Sequence, residues 1–466
     1  MWHGLARVHQ SRLFCPSKRG RIAGRFALRG GHPPKKRSPG RVQPVPGLWR
    51  SFRSRLKDRV TELYHSAAAL ARPWTRFNNS ARPATTPGPG LGTYGETVRQ
   101  IDPETGEVQA EGDLKQAKRR RKYARARTMA RLLQHKDLAG CHAWQTARHS
   151  PVAVHVKPSV ERGGFFSGLQ TCGLVHLCAH CQPKVAARRA REVQHAIDAW
   201  TAQGGEVLLV TLTLSHGPTD PLAATLGALK DAGRRAVRHR AWQEATKAAG
   251  LAGRIVATEY THGAHGWHPH QHQLWFVRAG IDRGALEREL WRAWCASLQR
   301  AGATATRKHG LRVDGGELAA RYVAGMEEGG STWTMADELT RSASKAGKGG
   351  GRSVWELVDV AADPAQTDEA RAGAALLLRE YARETKGTKA LQWSPGMRAR
   401  FGLGDVTDEE LAEAPDDPDT LPMAFVAPDD WPHVVRHRAQ PDVLTAAEDG
   451  GAQAVRVLVA GLRGAG

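Results

Sequence analysis

The order of patterns along the chain predicts an α+β protein, an antiparallel sheet backed by helices. Three observations carry that reading. Glu206-Val-Leu-Leu-Val-Thr-Leu-Thr-Leu214 reads as a strand, with Thr211 and Thr213 on one face and apolar residues on the other. Arg254–Thr261 and Trp267–Phe276 read as two further strands. They are joined by His262-Gly-Ala-His-Gly266, whose two glycines supply turn chemistry. Helical periods run from about residue 219 to 249 and over 285–298, with Leu286, Leu290, Trp294 and Leu298 at helical spacing. The order strand, helix, hairpin, helix, further segment describes an antiparallel sheet backed by helices.

The hairpin also carries the chemistry. Alternate residues of a strand share a face, so His268, His270 and His272 project together. If the hairpin is symmetric about residues 264–265, Glu259 lies opposite His270. A one-residue slip of register would remove it from the set. Imidazoles and one carboxylate on a rigid hairpin suit a divalent metal with open positions for water or phosphate oxygens. An exposed histidine-rich strand without a ligand is the bland reading. Period-two spacing and the facing glutamate favour the metal.

Upstream, Cys172, Cys178 and Cys181 crowd into ten residues. Cys178-x-x-Cys181 places two thiolates on one tight knuckle, able to hold a tetrahedral zinc with Cys172. The fourth ligand is Cys141, His176 or His180. A Cys-x-x-Cys pair also fits a redox motif; the third cysteine and the lack of a preceding strand favour structural zinc. Such crowding suits a reducing cytosol better than a disulfide framework. Cys295, inside a helical period, reads as core.

The chain has 466 residues, enough for two or three domains, and 68 Lys+Arg against 46 Asp+Glu give a net charge of +22. That excess points to a polyanion, usually nucleic acid. No run approaches the roughly 20 apolar residues of a spanning helix, and the arginine-rich N-terminus lacks the apolar core of a secretory signal. A cytoplasmic protein with no membrane partner is expected.

Four regions are expected. Residues 1–110 form a disordered basic arm; its first 95 residues hold only Asp58 and Glu62 as acids. Residues 111–200 hold a basic helix, including Lys115–Tyr123, and the cysteine segment. That helix either touches phosphate or is a solvated charged face. Lys184–Trp200 is a further helical period. Residues 201–360 hold the strands, the hairpin and a helix at Glu317–Met326. Residues 361–466 form a helical region, with 405–419 as an acidic linker or solvated face.

With these pieces placed, the chain resembles a rolling-circle plasmid replication initiator of the HUH endonuclease superfamily, actinobacterial in type. Val210–Leu214 resembles the family's first motif strand. Gly266-Trp-His-Pro-His-Gln-His272 resembles its metal motif, with His270 and His272 as the two histidines. Arg321-Tyr322-Val323 resembles the motif that holds the nucleophilic tyrosine. Phe166-Ser-Gly-Leu-Gln-Thr-Cys-Gly173 resembles the cysteine segment placed ahead of the catalytic domain, and Trp393-Ser-Pro-Gly-Met-Arg398 is also familiar from that branch. The resemblance covers roughly residues 140–460. Gln271 departs from the apolar residue usual there. Gly325 departs from a lysine often found three residues after the tyrosine, and Arg321, Arg341 or Lys345 would supply the missing cation toward DNA.

The resemblance implies a ferredoxin-like HUH palm that nicks plasmid DNA at its double-strand origin. Tyr322 would attack the phosphodiester, with Mn²⁺ or Mg²⁺ held by His270, His272, His268 and Glu259. Zn²⁺ in the cysteine cluster would be structural. Tyr381 and then Tyr260 are the next candidate nucleophiles. Termination would fall to a carboxylate, Glu317 first, with Glu327 and Glu328 as rivals. Host helicase and DNA polymerase would be partners. A rolling-circle transposase shares these residues. A transfer relaxase normally has its tyrosine ahead of the histidines, unlike this chain, and a non-catalytic zinc-dependent DNA-binding regulator is the alternative from another class.

Overall fold

Two antiparallel sheets organise the chain. The computed structural model describes residues 111–158, 163–315 and 351–464. Helices α1 (Glu111–Leu133) and α2 (Lys136–Gly140) lead into β1 (Val152–Val156) and β2 (Gly164–Ser167). Then come α3 (Cys181–Ala202), β3 (Gly205–Leu212), α4 (Leu222–Ala236), α5 (Arg240–Ala248), β4 (Gly253–Gly263), β5 (Gly266–Arg278), α6 (Arg283–Arg300) and β6 (Leu311–Asp314). The last part holds α7 (Val354–Ala362), α8 (Asp368–Glu384), β7 (Gln392–Trp393), α9 (Met397–Arg400), α10 (Asp408–Glu413), β8 (Ala424–Val426), α11 (Trp431–Arg436) and α12 (Gln440–Gly464). The expected α+β class with antiparallel sheets is what is found.

The larger sheet has the order β6-β3-β5-β4-β7, and the smaller β2-β1-β8. Along one face of the larger sheet, Val207, Leu209, Ile255, Leu274 and Phe276 pack on Val193, Ala196 and Ile197 of α3. On the other face Leu208, Val210, Leu212, Trp275 and Val277 meet α4, α5 and α6. Alternation along each strand produces both layers. Trp275, Trp294 and Phe276 are fully buried, each worth roughly 1.5–3 kcal/mol or more of burial.

The helix expected over 219–249 is two helices. Its break falls at 237–239, where extended His239 caps α5 by accepting from the Ala241 amide at 3.2 Å. The redirected chain packs Trp242 edge-on against Trp275, with ring centroids 5.4 Å apart. Pro221 sits at the N-cap of α4, and Asp220 accepts from the Gly217 amide.

Five cations of the basic helix α1 pair with carboxylates of the same chain, Arg120 and Arg121 while still largely exposed. Lys115 and Arg119 pair with Glu448, Arg120 pairs with Asp442, and Arg121 and Arg125 both reach Asp359. Met129 and Tyr123 on its inner side are buried. The segment 405–419 is largely exposed, as a solvated face would be, but it is tied to α3. Arg189, itself buried, donates to Asp408, while Arg188 donates to the Leu411 and Ala414 carbonyls. A buried guanidinium needs a carboxylate, and that need ties α10 to α3. Residues 361–466 also supply an edge strand to each sheet, β7 and β8.

The β4–β5 turn is closed by Gly266 at φ +80°, in the left-handed region. A Cβ there would lie 2.8 Å from the Gly217 carbonyl oxygen and 3.0 Å from that of Pro218. Strain and clash together predict that Gly266→Ala loses roughly 1–3 kcal/mol, read as a lower denaturant midpoint. An unchanged midpoint would contradict this account of the turn.

Beyond the turn, His262 exchanges backbone hydrogen bonds with Arg352, and its ring packs edge-on against Trp267 at 5.1 Å. Burial, then the charges of Arg352 and His216, push its pKa down to about 4 from the ordinary 6.5. The unfolded state therefore binds the proton first as pH falls. Stability contributed by neutral His262 is full above 6.5 and is lost between 6.5 and about 4, by about 2–3 kcal/mol. His262→Gln should flatten the stability-versus-pH curve in that window; equal slopes for both proteins would reject it.

Candidate metal centre and cysteine cluster

Pairing of β4 with β5 runs from Gly253↔Phe276 to Gly263↔Gly266, and Glu259 stands opposite His270. This is the register expected from the sequence. On the other side of β5, Thr211 of β3 stands opposite His272. Three neighbouring strands therefore present Thr211, His272, His270 and Glu259 on one face. That face continues into Leu274 and Phe276, which anchor it on α3.

The donor atoms converge. His270 Nε2 lies 3.0 Å from His272 Nε2, and each lies 3.1 Å from Glu259 Oε2. Side-chain exposures are 13%, 10% and 6% for His270, His272 and Glu259, so the triangle is largely withdrawn from water. For octahedral bonds of about 2.1 Å, neighbouring donors lie about 3.0 Å apart, whereas tetrahedral bonds of that length need about 3.4 Å. The three donors fit one face of an octahedral cation, leaving three positions for other oxygens. Thr211 Oγ1 lies 3.2 Å from His272 Nδ1. An N–H at Nδ1 donating to that hydroxyl leaves the Nε2 lone pair free for a metal, the usual support for a ligating imidazole.

His268 shares the face but stands beside the triangle, not within it. His216 Nδ1 lies 2.7 Å from the His265 carbonyl oxygen, which can only accept. His216 Nε2 is then the acceptor for His268 Nδ1–H, at 2.7 Å. Burial, with His270 and His216 nearby, holds the His268 ring down to about 4. Gln271 points to the opposite face, near Gly233 of α4, so its departure from an apolar residue leaves the donors untouched. Thr211 and His216 were absent from the expected site; the shared face of Thr211 was legible, but nothing in the sequence placed β3 beside β5.

The second cluster is complete in sulfur. Cys141 Sγ lies 3.5 Å from Cys178 Sγ and 3.6 Å from Cys181 Sγ, and Cys172 Sγ lies 3.7 Å from Cys181 Sγ. Zinc–sulfur bonds of about 2.3 Å in a tetrahedron place sulfurs about 3.8 Å apart, so the four fit. Cys141, at the C-cap of α2, is the member that completes the group. Hydrogen bonds from Cys141, Cys172 and Cys178 hold the Cys181 thiol far below its ordinary value. His180 instead stacks on His142 at 4.5 Å, and His176 packs edge-on between Tyr260 and Tyr381. Cys295 is buried in α6, as expected of a core residue.

Tyr322, Glu317, Arg321, Arg341, Lys345, Glu327 and Glu328 lie outside the described residues, as does the expected helix at 317–326. Of the rival tyrosines, Tyr381 is 1% exposed and Tyr260 5%, their rings 5.4 Å apart edge to face. Burial raises the pKa of both phenols.

Among known proteins, no family model and no solved structure matches the chain. It is 29% identical over 349 residues to Protein rep of Streptomyces lividans, a match spanning 60% of this chain and 76% of that protein. The motif order and the similarity to that relative agree: this chain is similar to an actinobacterial Rep protein.

Proposed function

We propose that the chain is a plasmid replication initiator of the HUH type, one that nicks the double-strand origin through a tyrosine. The similarity to Protein rep supports an initiator acting on plasmid DNA. The observation that carries the nicking reading is the triangle of Glu259, His270 and His272 on paired strands. The palm of such enzymes is a sheet that presents the donors on one face. The five-stranded antiparallel sheet is consistent with that arrangement.

In this reading His270, His272 and Glu259 hold Mn²⁺ or Mg²⁺, with the His268 ring, bonded to His216, beside that of His270. When bound, the cation supplies Lewis acidity at the scissile phosphate. Tyr322 Oη attacks phosphorus and gives up its proton, the P–O3′ bond breaks, and the leaving 3′ oxygen takes up a proton to become the hydroxyl that primes synthesis. The 5′ phosphate stays joined to the tyrosine, so the bond can later be re-formed. Burial raises the pKa of the rival Tyr260 and Tyr381 phenols, which favours Tyr322 as the nucleophile. Arg321, Arg341 and Lys345 would contact phosphate. Glu317 would serve termination by activating water. Host helicase and polymerase would follow the nick in the cytoplasm; no helix among the described residues is long and apolar enough to cross a membrane.

His270→Ala, His272→Ala should lower Mn²⁺-dependent nicking of supercoiled origin plasmid by at least about a hundredfold. Tyr322→Phe should do the same and also abolish the covalent protein–DNA product. Duplex binding should stay within about twofold, because its phosphate contacts lie elsewhere. Full nicking by the double histidine variant would sink the assignment.

The cysteine cluster in this reading is structural. Elemental analysis of the purified chain should find a single zinc held by Cys141, Cys172, Cys178 and Cys181. Structural zinc binds with roughly 10–16 kcal/mol, so Cys178→Ser should lose the metal and lower the unfolding midpoint sharply. Reduced, zinc-free protein of unchanged stability would reject it.

A further inference from the structure

A cavity of about 330 Å³ opens between α1, α2 and the start of α12, lined by Tyr123, Arg127, Arg131, His142, His180 and Gln440 among others. Its volume lies within the roughly 300–1,000 Å³ of small-molecule sites. Three features of its wall are unlike the rest of α1. Most cations of that helix are committed to Glu448, Asp442 or Asp359, but Arg127 and Arg131 have no acidic partner among the described residues. Burial and the nearby Arg438 both hold the Arg127 guanidinium below its ordinary value. Two guanidiniums gathered without a carboxylate make a place for an anion.

The aromatic wall is equally specific. His142 stacks on His180 with ring planes 16° apart, and Tyr123 meets His180 edge-on at 4.4 Å. His142 is held at φ +53° and Arg438 at φ +57°, two of three non-glycine residues in the left-handed region among those described. Such backbone costs of order 1–3 kcal/mol and is kept where surrounding structure needs it. Finally, Gln440 is 4% exposed, and its buried Oε1 has no hydrogen-bond partner. An orphaned amide acceptor costs about 1–3 kcal/mol, which a ligand N–H would recover.

We propose that this cavity is a nucleotide seat: Arg127 and Arg131 take the phosphate, the His142 and Tyr123 rings take the base face, and Gln440 Oε1 accepts from a base N–H. Arginine, aromatic planes and a side-chain amide together are how unpaired bases are held. The seat lies outside the hairpin and the cysteine quartet, though Cys141 is part of its wall. The same chemistry could come from a base of the single strand or from a free mononucleotide. The single-strand source rests on the initiator reading; the mononucleotide source does not.

The test measures binding of a fluorescein-labelled dT octanucleotide and of an abasic octamer with the same phosphates to the full chain. It is run in the His270→Ala, His272→Ala background, so nicking takes no part. The base-bearing strand should bind about tenfold tighter than the abasic one. Arg127→Ala should weaken both octamers about equally, by roughly fivefold or more. Gln440→Leu should cut the preference for the base-bearing strand to about twofold or less. Competition with dTMP separates the sources: displacement at similar concentration assigns the seat to a free nucleotide, and displacement by oligonucleotide alone assigns it to the strand. Should Gln440→Leu fail to fold, Gln440→Glu repels the ligand at nearly the same size and should weaken both. No base preference in the parent, or an unchanged preference in the folded Gln440 variants with unweakened binding in Arg127→Ala, overturns the proposal. Nicking by the wild-type chain is scored separately, so loss of one reading leaves the other standing.

Discussion

Everything at the candidate metal centre depends on one constraint, the register of β4 against β5. Side chains alternate across a strand, so a slip by one position would send Glu259 to the far face while the histidines stayed. The tip admits no such slip. Gly263 pairs with Gly266, and the left-handed Gly266 sits against the backbone of Gly217 and Pro218, where a side chain has no room. At the other end the same strand is pinned by Leu274 and Phe276 in the α3 core. Donor positions within 3.0–3.1 Å of one another thus follow from backbone pairing, not from adjustable side chains.

The hairpin was legible because its signals are local: two glycines, an apolar run, histidines at period two. The sequence therefore specified Glu259, His270 and His272 before any packing was known. The quartet was legible in three of its members, and Cys141 emerged from alternatives that included His176 and His180. What was not legible was non-local. β1, β2, β7 and β8 are short, and β7 and β8 pair with strands far off in sequence, as with Val154 and Ala424. The charges of α1 read as a nucleic-acid surface or a wet face, since no local pattern says that Asp359, Asp442 and Glu448 await them. His268 was grouped with its neighbours by spacing alone, and His216, which turns it aside, comes from another segment.

One face of the large sheet does two jobs along its length. From Leu274 onward it is dry core, and from His272 toward the turn it is a cluster of donors. Continuity matters for chemistry, because polar groups held by a rigid strand need little reorganisation when charge develops near them. Trp267 and Glu380 extend the scaffold: the indole N–H donates to Glu380 Oε2 at 2.8 Å, and Glu380 Oε1 accepts from the Leu222 amide at 2.9 Å. A buried carboxylate with two such donors ties α8 and the start of α4 to the tip of the hairpin. Trp393 to Arg398, familiar from its motif, is structural in the same way. Ser394 bridges to the Arg254 backbone and Arg398 grips Glu192.

The clasp between α1 and α12 has a consequence in time. Arg119 and its partner Glu448 stand 329 positions apart. At roughly 5–20 residues per second of synthesis, α1 leaves the ribosome on the order of half a minute before its partner exists. For most of that interval Asp359 of α7 and the carboxylates of α12 do not yet exist, and the small sheet lacks β8. Closure of this part of the fold therefore waits for Glu448, whereas the β4–β5 hairpin can form as soon as Arg278 emerges.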